Sequence, residues 1–261
     1  MNREPNHSLG VYDNPQYYEI AFAFRDIPGE VDVFEECFRR FSLIQVESIL
    51  ELGCGNSPHM EELVRRGYQY NGIDLSDAML EYSRQKAARI AAQVNLIQAD
   101  MLDFDLEFKC DFVYITLGSL CARSTQELSS HLDSVGQVLR SGGLYLLDWC
   151  VHFEPPWHAG TTSWEIERGG IRIKTTVLWD LLDQVEQTFQ ETIRLDVDDH
   201  GKRFLLEETQ VKKAIYPQEF LAIVRSSNHF EFIGWWNNWD LSEPLDQAQT
   251  ISRPITLLRH T

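Results

Sequence analysis

The chain is short of positive charge, since its 261 residues contain 23 Lys and Arg against 40 Asp and Glu. The resulting formal net charge of −17 repels phosphate groups and anionic lipids. We therefore expect neither nucleic acid nor a membrane among the partners. Long hydrophobic runs are missing too, because no segment reaches the roughly 18 apolar residues of a membrane-spanning helix. Nothing near the start has the pattern of a secretory signal, and we expect a cytoplasmic protein.

Paired cysteines are also missing. The five cysteines are scattered and form no C-x-x-C motif, so neither a disulfide framework nor a zinc site is indicated. We expect them to be small buried hydrophobic residues in a reducing compartment, and we expect no metal.

The chain has regions with two different sequence patterns. From about residue 30 to 150, short apolar runs alternate with helix-type stretches, which is typical of a parallel sheet with crossover helices. After residue 216 the chain returns to a helix, PQEFLAIVRSS, and two strands, FEFIGWW and PITLLRH. The predicted architecture is an α/β, doubly wound, mostly parallel sheet with an antiparallel lobe inserted after its fifth strand. The expected boundaries are a core at 1–160, a lobe at 161–216 and completion of the core at 217–261.

The lobe segment contains three runs with strand-like composition, joined by turn residues: SWEIERGGIRIKTTVLW, QVEQTFQETIRLDV and FLLEETQVKKAIY. They predict an antiparallel meander. An acidic stretch in this segment, WDLLDQVEQTFQETIRLDVDD, is expected on the solvated outer face of the lobe and not at a cation site.

A glycine-containing loop, ILELGCGNSPHM at 49–60, follows the first apolar run. Glycines after a buried strand allow a sharp turn and a close approach to a ligand, as in every nucleotide-binding α/β fold. The dinucleotide pattern G-x-G-x-x-G fails here, because its sixth position counted from Gly53 is Pro58. The loop instead has an acid, Glu51, two residues before Gly53, and a second glycine at Gly55.

Two further acids end the next two strand-type runs. Asp74 in YNGIDLS lies where a carboxylate can accept hydrogen bonds from both hydroxyls of a ribose. Asp100 in VNLIQADMLDF can accept a hydrogen bond from the exocyclic amine of an adenine, while the adjacent backbone N–H contacts a ring nitrogen. A nicotinamide-binding fold has no comparable use for this third acid.

The three motifs in order, ELGCG, GIDLSDAML and QADM, resemble those of the class I S-adenosylmethionine-dependent methyltransferases. The resemblance implies a seven-stranded Rossmann-like sheet with S-adenosyl-L-methionine as cofactor. It also implies the following cofactor contacts: Tyr18, Arg25, Glu51, Gly53, Gly55, Asn56, Asp74, Leu75, Met79, Asp100, Met101 and Leu117.

The chain is further similar to the small-molecule N-methyltransferase branch, which includes glycine N-methyltransferase and the amino-sugar N,N-dimethyltransferases. These enzymes have an inserted antiparallel lobe and an N-terminal cap, which here reads YYEIAFAFRD. The similarity implies that Tyr18 lies near the transferred methyl and that Arg25 pairs with the cofactor carboxylate. His59 matches a histidine of the amino-sugar enzymes, and Ser57 replaces a glycine of many relatives.

Methyl transfer from a sulfonium requires an acceptor held in line and free of water, and no nucleophilic triad. Tyr18 is the first candidate for positioning the acceptor. His152 and His158 are the alternative candidates, as bases, and both are more often structural residues. Trp149 and Trp157 are expected to form an aromatic wall that receives an amine by cation–π contact.

The predicted function is methyl transfer to a small molecule, with an amine nitrogen as the acceptor atom. Three alternatives stay open: O- or C-methylation of a small metabolite, an inactive protein that binds the cofactor, and a protein methyltransferase. A homodimer is also left open, because strands or aromatic faces of the lobe could pair two subunits.

Overall fold

The computed structural model describes residues 10–261, so the first nine residues of the expected core segment lie outside the described residues. The helices are α1 (Pro15–Ala21), α2 (Ile27–Phe41), α3 (Met60–Arg65), α4 (Asp77–Arg89), α5 (Thr125–Val138) and α6 (Pro217–Ser227). The strands are β1 (Ser48–Leu52), β2 (Gln69–Asp74), β3 (Asn95–Gln98), β4 (Cys110–Ile115), β5 (Leu139–Asp148), β6 (Thr161–Arg168), β7 (Ile171–Asp183), β8 (Thr188–Asp199), β9 (Lys202–Lys213), β10 (Phe230–Trp236) and β11 (Ile255–His260).

Seven strands form the central sheet in the order β10-β11-β5-β4-β1-β2-β3. The strands β1 to β5 are parallel, whereas β11 is antiparallel to β5 and to β10. Every residue of β1 and β4 is buried, as expected for strands covered by helices on both faces. The strand order changes direction between β1 and β4, and ligands of such sheets bind at the carboxyl ends of strands at this point.

Two helices, α4 and α5, begin at serine N-cap residues. The Ser76 hydroxyl accepts a hydrogen bond from Met79 N at 3.3 Å and starts α4, and Ser124 does the same for Glu127 N at 3.1 Å at the start of α5. Since α4 begins right after β2, the carboxyl end of β2 is held next to a helix N-terminus.

A four-stranded antiparallel sheet, β6-β7-β8-β9, is inserted between β5 and α6. The predicted fold class is therefore confirmed, but one run was wrongly taken as a single strand. SWEIERGGIRIKTTVLW forms β6 and β7, because Gly169 and Gly170 both have positive φ, at 61° and 81°, and turn the chain between them. The lobe has four strands where three were expected.

The helix α1 lies between the inserted sheet and the central domain. One face of the sheet packs against α1 through an apolar cluster that includes Ala21, Leu195 and Leu206, with Tyr18 packed against it. Trp164 Nε1 donates to the carbonyl of Ala21 at 2.7 Å. The cap segment predicted from YYEIAFAFRD thus lies between the lobe and the central sheet. Across residues 10–261, no helix combines the length and apolarity needed to cross a membrane.

Candidate active site

The glycine loop leaves β1 through left-handed backbone. Gly53, Gly55 and Ser57 have φ values of 60°, 51° and 47°. A Cβ on Gly53 would lie 2.7 Å from the Met101 methyl group, so a side chain there would collide with the loop after β3. Ser57 adopts a backbone conformation that favours glycine. Its hydroxyl is buried and has no hydrogen-bond partner among residues 10–261.

Asp74 ties the end of β2 to the glycine loop. One carboxylate oxygen accepts from Gly55 N and the other from Ser76 N, both at 2.8 Å. Burial raises the pKa of Asp74, an effect that the backbone donors oppose. Each oxygen keeps a further lone pair, so the carboxylate can still accept hydrogen bonds from a ribose.

Two further predicted cofactor contacts, Asp100 and Leu117, lie just beyond the ends of β3 and β4. Asp100 is exposed, and its carboxylate accepts from Leu102 N at 2.9 Å. Leu117 N donates to Asp148 at 2.9 Å. The structure therefore brings the glycine loop, Asp74, Asp100 and Leu117 to the carboxyl ends of four parallel strands. Leu75, another predicted contact, is 62% exposed. Met79, also predicted, is buried beneath the loop, and its sulfur lies 4.0 Å from the Cβ position of Gly55.

A buried polar network lies under the glycine loop. Glu51 is 2% exposed and accepts from the Tyr70 hydroxyl, so its contacts are internal to the protein. His59 lies between two carboxylates, with Nδ1 3.4 Å from Glu51 and Nε2 2.9 Å from Glu30. Arg25 donates to Glu30 through Nε and Nη2. Although burial opposes ionisation, the His59 and Arg25 hydrogen bonds hold the pKa of Glu30 well below its usual range.

Arg253 joins this network to the end of β5. Its guanidinium donates to Asp148 at 2.8–3.2 Å and to Glu30 at 2.9 Å. Asp148 also accepts from Trp239 Nε1 at 3.0 Å, and the guanidinium lies over the Trp239 ring at 4.8 Å. The sequence reasoning missed Glu30, Asp148 and Arg253. Residues 30 and 253 are far apart along the chain, and no local pattern indicates their pairing.

A cleft of about 360 Å³ opens beside the glycine loop. Among its lining residues are four predicted cofactor contacts, Tyr18, Arg25, Asn56 and Leu117, together with Glu19, Phe22, Ala23, Ile27, Pro58, Glu61, Lys86, Arg89 and Arg168. The cap helix α1 is tied to this cleft because Glu19 accepts from Lys86 Nζ at 2.7 Å and from the Tyr82 hydroxyl. This anchor was also missed from the sequence.

Tyr18 faces the cleft as a neutral phenol. Burial raises its pKa to about 12; the charges of Asp74 and Glu191 add to this effect, and those of Arg25 and Lys212 oppose it. Its ring stacks on Phe22 with centroids 4.5 Å apart. At neutral pH, Tyr18 can therefore donate a hydrogen bond to a ligand and does not act as a base.

The contacts of His152 do not favour the predicted role as a base. Its Nδ1 accepts from Ile215 N at 3.3 Å, so a neutral ring carries its proton on Nε2. Burial, together with the charge of Lys212, lowers its pKa to about 4. His158, the second histidine considered, is exposed in a short 3-10 turn.

The structure does not form the predicted wall from Trp149 and Trp157. Trp157 pairs with His158 and Phe189, both at 6.3 Å, and Trp149 pairs with no aromatic ring of residues 10–261. Trp149 directly follows the last residue of β5, has a φ of 59° and is 48% exposed.

We expected the acidic stretch of the lobe on its outer face, but part of this stretch lies on the inner face. Glu191 points to the inner side of β8, where its side chain is 18% exposed and pairs with Lys212. The error arose because acidic composition alone does not show which alternate positions face inward.

A family model described as "Methyltransferase domain" matches residues 49–143. The bovine (Bos taurus) eEF1A lysine and N-terminal methyltransferase is 30% identical over 108 residues, covering 38% of this chain and 16% of that protein. A Streptomyces venezuelae dTDP-3-amino-3,4,6-trideoxy-alpha-D-glucopyranose N,N-dimethyltransferase is 28% identical over 105 residues, covering 40% of this chain and 43% of that protein. The chain therefore spans less than half the length of either relative.

Solved structures match over almost the whole chain. An S-adenosylmethionine-dependent methyltransferase from Clostridium acetobutylicum ATCC 824 has a TM-score of 0.77 at 16% identity, covering 94% of this chain and 96% of that one. The sugar N-methyltransferase KedS8 from Streptoalloteichus sp ATCC 53650 has a TM-score of 0.71 at 20% identity, covering 99% and 96%. Residues 49–143 thus match a methyltransferase domain, and the chain has the fold of the S-adenosylmethionine-dependent methyltransferases.

Proposed function

We propose that this protein binds S-adenosyl-L-methionine and transfers its methyl group to a nitrogen atom of a small molecule. The observation that carries the proposal is the meeting of the left-handed glycine loop, Asp74 and Asp100 at the carboxyl ends of β1, β2 and β3. A ligand with an amino-acid end, a ribose and an adenine matches the glycine loop, Asp74 and Asp100 in that order along the sheet edge.

The residues present fit this cofactor. Gly53 has a left-handed φ of 60° and no Cβ, so its backbone can approach a ligand closely. Asp74 would accept from the ribose hydroxyls and Asp100 from the adenine amine. Nε and Nη2 of Arg25 donate to Glu30, whereas Nη1 has no hydrogen bond among the described residues. Its two N–H groups are available for the cofactor carboxylate.

When bound, the cofactor supplies a methyl group on a positively charged sulfur, which an amine lone pair can displace. The protein then has to hold the acceptor in line and keep water out. The cap helix α1 and the inserted sheet cover the site, since Tyr18 packs against the cluster that joins α1 to this sheet. Tyr18, as a neutral phenol, would orient the acceptor through its hydroxyl.

Two observations favour a small acceptor and nitrogen. The likeness to the sugar N-methyltransferase extends over 99% of the chain and so includes the inserted sheet. A relative in the matched region is an N,N-dimethyltransferase of an amino sugar nucleotide. The bovine relative, by its name, acts on a protein, and a protein lysine is therefore the second candidate acceptor.

Calorimetry with S-adenosylmethionine tests cofactor binding, and mass spectrometry of an acceptor panel tests transfer. The panel contains amines, alcohols, phenols, carboxylates and a lysine-containing peptide. We expect cofactor binding and a gain of one methyl group on amines. Methylation only of the peptide would favour the second candidate, and methylation only of oxygen or carbon would contradict the nitrogen assignment. Binding with no product would indicate an inactive binding protein, and no binding would contradict the proposed function.

A further inference from the structure

The inner face of the inserted sheet changes from apolar to charged along β8. Residues of this strand that alternate onto the α1 side include Leu195, Ile193 and Glu191, and the first two belong to the apolar cluster around α1. Glu191 pairs with Lys212 on β9, and their side chains are only 18% and 6% exposed. Two charged groups therefore occupy positions where the packing pattern predicts apolar residues.

The ion pair faces the carboxyl edge of the central sheet. Lys212 Nζ donates to Glu191 Oε1 at 2.5 Å and to the carbonyl of Gly118 at 3.1 Å. Gly118 adjoins Leu117, a predicted cofactor contact at the end of β4. The other carboxylate oxygen of Glu191 accepts from Trp179 Nε1 at 2.9 Å. Lys212 and Trp179 thus fix the carboxylate, and each of its oxygens keeps one lone pair for a further donor.

The electrostatic effects of the pair reach the candidate active site. Burial is the main cause of the raised pKa of Tyr18, but Asp74 and Glu191 both raise it further. Burial also lowers the pKa of His152, which Lys212 lowers further and Glu191 raises. The charges of the predicted ribose-binding acid and of Glu191 therefore act on the same phenol. Glu191 lies in the inserted sheet and is joined through Lys212 to Gly118, next to Leu117 at the end of β4.

Stability alone does not account for this pair. A buried ion pair is often no more stabilising than apolar residues of similar volume, because both charges must be removed from water. A second pair across the same strands, Arg194–Glu207, is far more exposed, with side chains 45% and 30% exposed. It does not have this desolvation cost to the same degree. A buried, fixed carboxylate beside a candidate active site is typical of a functional position.

We propose that Glu191 receives the acceptor nitrogen and that the acceptor is an amine, which reacts as its free base after its ammonium form has lost a proton to water. This inference rests on the proposed function and narrows it to a substrate class. The amine donates an N–H hydrogen bond to the carboxylate. Its lone pair forms the new N–C bond, while the S–C bond breaks and its electron pair stays on sulfur. The positive charge moves from sulfur to nitrogen, next to Glu191, and the product ammonium loses its proton to water after release. The carboxylate stabilises the charge that arrives on nitrogen. Lys212 is a positioning residue.

The test compares wild type with E191Q, E191D, the double variant E191Q/K212Q, and E207Q as the matched control on the same two strands. Calorimetry gives the Kd of S-adenosylmethionine, and thermal melting reports folding. Methyl transfer is measured with an amino sugar, an amino alcohol, simple primary and secondary alkyl amines, a phenol and a carboxylate. The double variant removes the charge pair without leaving Lys212 unpaired, so loss of the fold in E191Q alone does not decide the outcome.

We expect E191Q and the double variant to lower kcat/KM for amines by about 100-fold, mainly through kcat, with an unchanged Kd for the cofactor. E191D, which keeps the charge, should lose no more than about tenfold, and E207Q should match wild type. Wild type that binds the cofactor but methylates no amine would overturn the inference and leave cofactor binding standing. So would a kcat/KM for amines that is unchanged in both variants lacking the carboxylate. Wild type that does not bind S-adenosylmethionine would overturn the proposed function and this inference with it.

Discussion

The imidazole of His59 and the carboxylate of Glu30 form a buried pair, with Nε2 2.9 Å from Oε2 and both side chains no more than 6% exposed. The other ring nitrogen of His59 faces Glu51 at 3.4 Å. The pair lies directly beneath the glycine loop and holds the carboxylate to which Arg25 donates. The histidine matched from the sequence with the amino-sugar enzymes therefore connects the loop to the proposed carboxylate-binding arginine.

Replacing His59 by Asn should weaken both folding and cofactor binding. Glu30 and Glu51 would lose the buried imidazole that lies between them, and we expect the free energy of unfolding to fall by about 2–4 kcal/mol. Arg25 would be held less firmly, which should weaken S-adenosylmethionine binding roughly tenfold. Chemical denaturation and calorimetry measure the two effects. H158N, at the exposed His158, is the control and should change neither; an H59N variant as stable as H158N would contradict the expectation.

Asp74→Asn should weaken cofactor binding while the protein stays folded. The amide keeps an acceptor oxygen for one of the two backbone donors, Gly55 N or Ser76 N, and loses the charge that strengthens hydrogen bonds to ribose hydroxyls. We expect a Kd for S-adenosylmethionine that is about 10–100-fold higher. D77N provides the control, because Asp77 lies three residues further along with a side chain that is 77% exposed. Equal affinities of the two variants would exclude the proposed role of Asp74.

Tyr18→Phe should lower kcat for methyl transfer by roughly 10–100-fold, since the hydroxyl that orients the acceptor is lost. Because the pKa of Tyr18 is raised to about 12, its ionisation should not shape the pH–rate profile near neutrality. The matched control is Y17F on the neighbouring residue, whose hydroxyl donates to Asp199 at 2.8 Å in the lobe. Steady-state kinetics would contradict the assignment if Y18F and Y17F had the same kcat.

Ser57→Gly should stabilise the protein. Serine at a φ of 47° is strained, and its buried hydroxyl lacks a partner among residues 10–261. Relief of both effects should outweigh the greater entropy of glycine in the unfolded chain by about 1 kcal/mol, which corresponds to a Tm roughly 2–4 °C higher. S57A, which removes the hydroxyl but keeps the backbone strain, should lie below S57G. A melting experiment in which S57G is no more stable than wild type would refute this reading.

Stability should fall as the pH is lowered from 6.5 towards 4. Burial lowers the pKa of His131 from 6.5 to about 4, and His131 is neutral in the folded state because Nδ1 donates to the Met101 carbonyl at 2.7 Å and Nε2 accepts from Tyr145. The unfolded chain binds a proton in this range that the folded chain does not. His131 alone therefore contributes a loss of about 3 kcal/mol at the acid end.

Denaturation at pH 7, 6 and 5 measures this slope. H131Q should be less stable than wild type at pH 7 but should have a shallower dependence on pH. H200N is the control, since the His200 side chain is 70% exposed, and it should keep the wild-type slope. An H131Q slope equal to that of wild type would show that His131 does not cause the acid destabilisation.

Much of the fold and of the cofactor motif could be predicted from the sequence because these features are local. A buried strand followed by glycines, or by an acid such as Asp74, is visible in a short segment of chain. The inserted lobe was also visible as a change from alternating strand and helix patterns to consecutive strand-like runs. Its first two strands were not separated, because the run through Gly169 and Gly170 has strand-like residues on both sides of the turn.

The substrate side of the site was less predictable. Glu191 was placed on the outer face of the lobe, because composition does not give the phase of the two-residue alternation along a strand. The position of Trp149 at the carboxyl end of the fifth strand predicted an aromatic wall formed with Trp157. In the structure, left-handed backbone at Trp149 ends β5, while Trp157 packs against the lobe at Phe189.

By itself, the sequence determined the succession of strands and helices, the left-handed loop at Gly53 and Gly55, and the acids that end the parallel strands, since each depends on neighbours within a few residues. Only the tertiary structure decided that Arg253 joins Asp148 to Glu30 and that Lys212 fixes Glu191 beside Gly118. These partners lie tens to hundreds of residues apart along the chain. Their charges are paired because packing buries them together, where an unpaired charge would be costly.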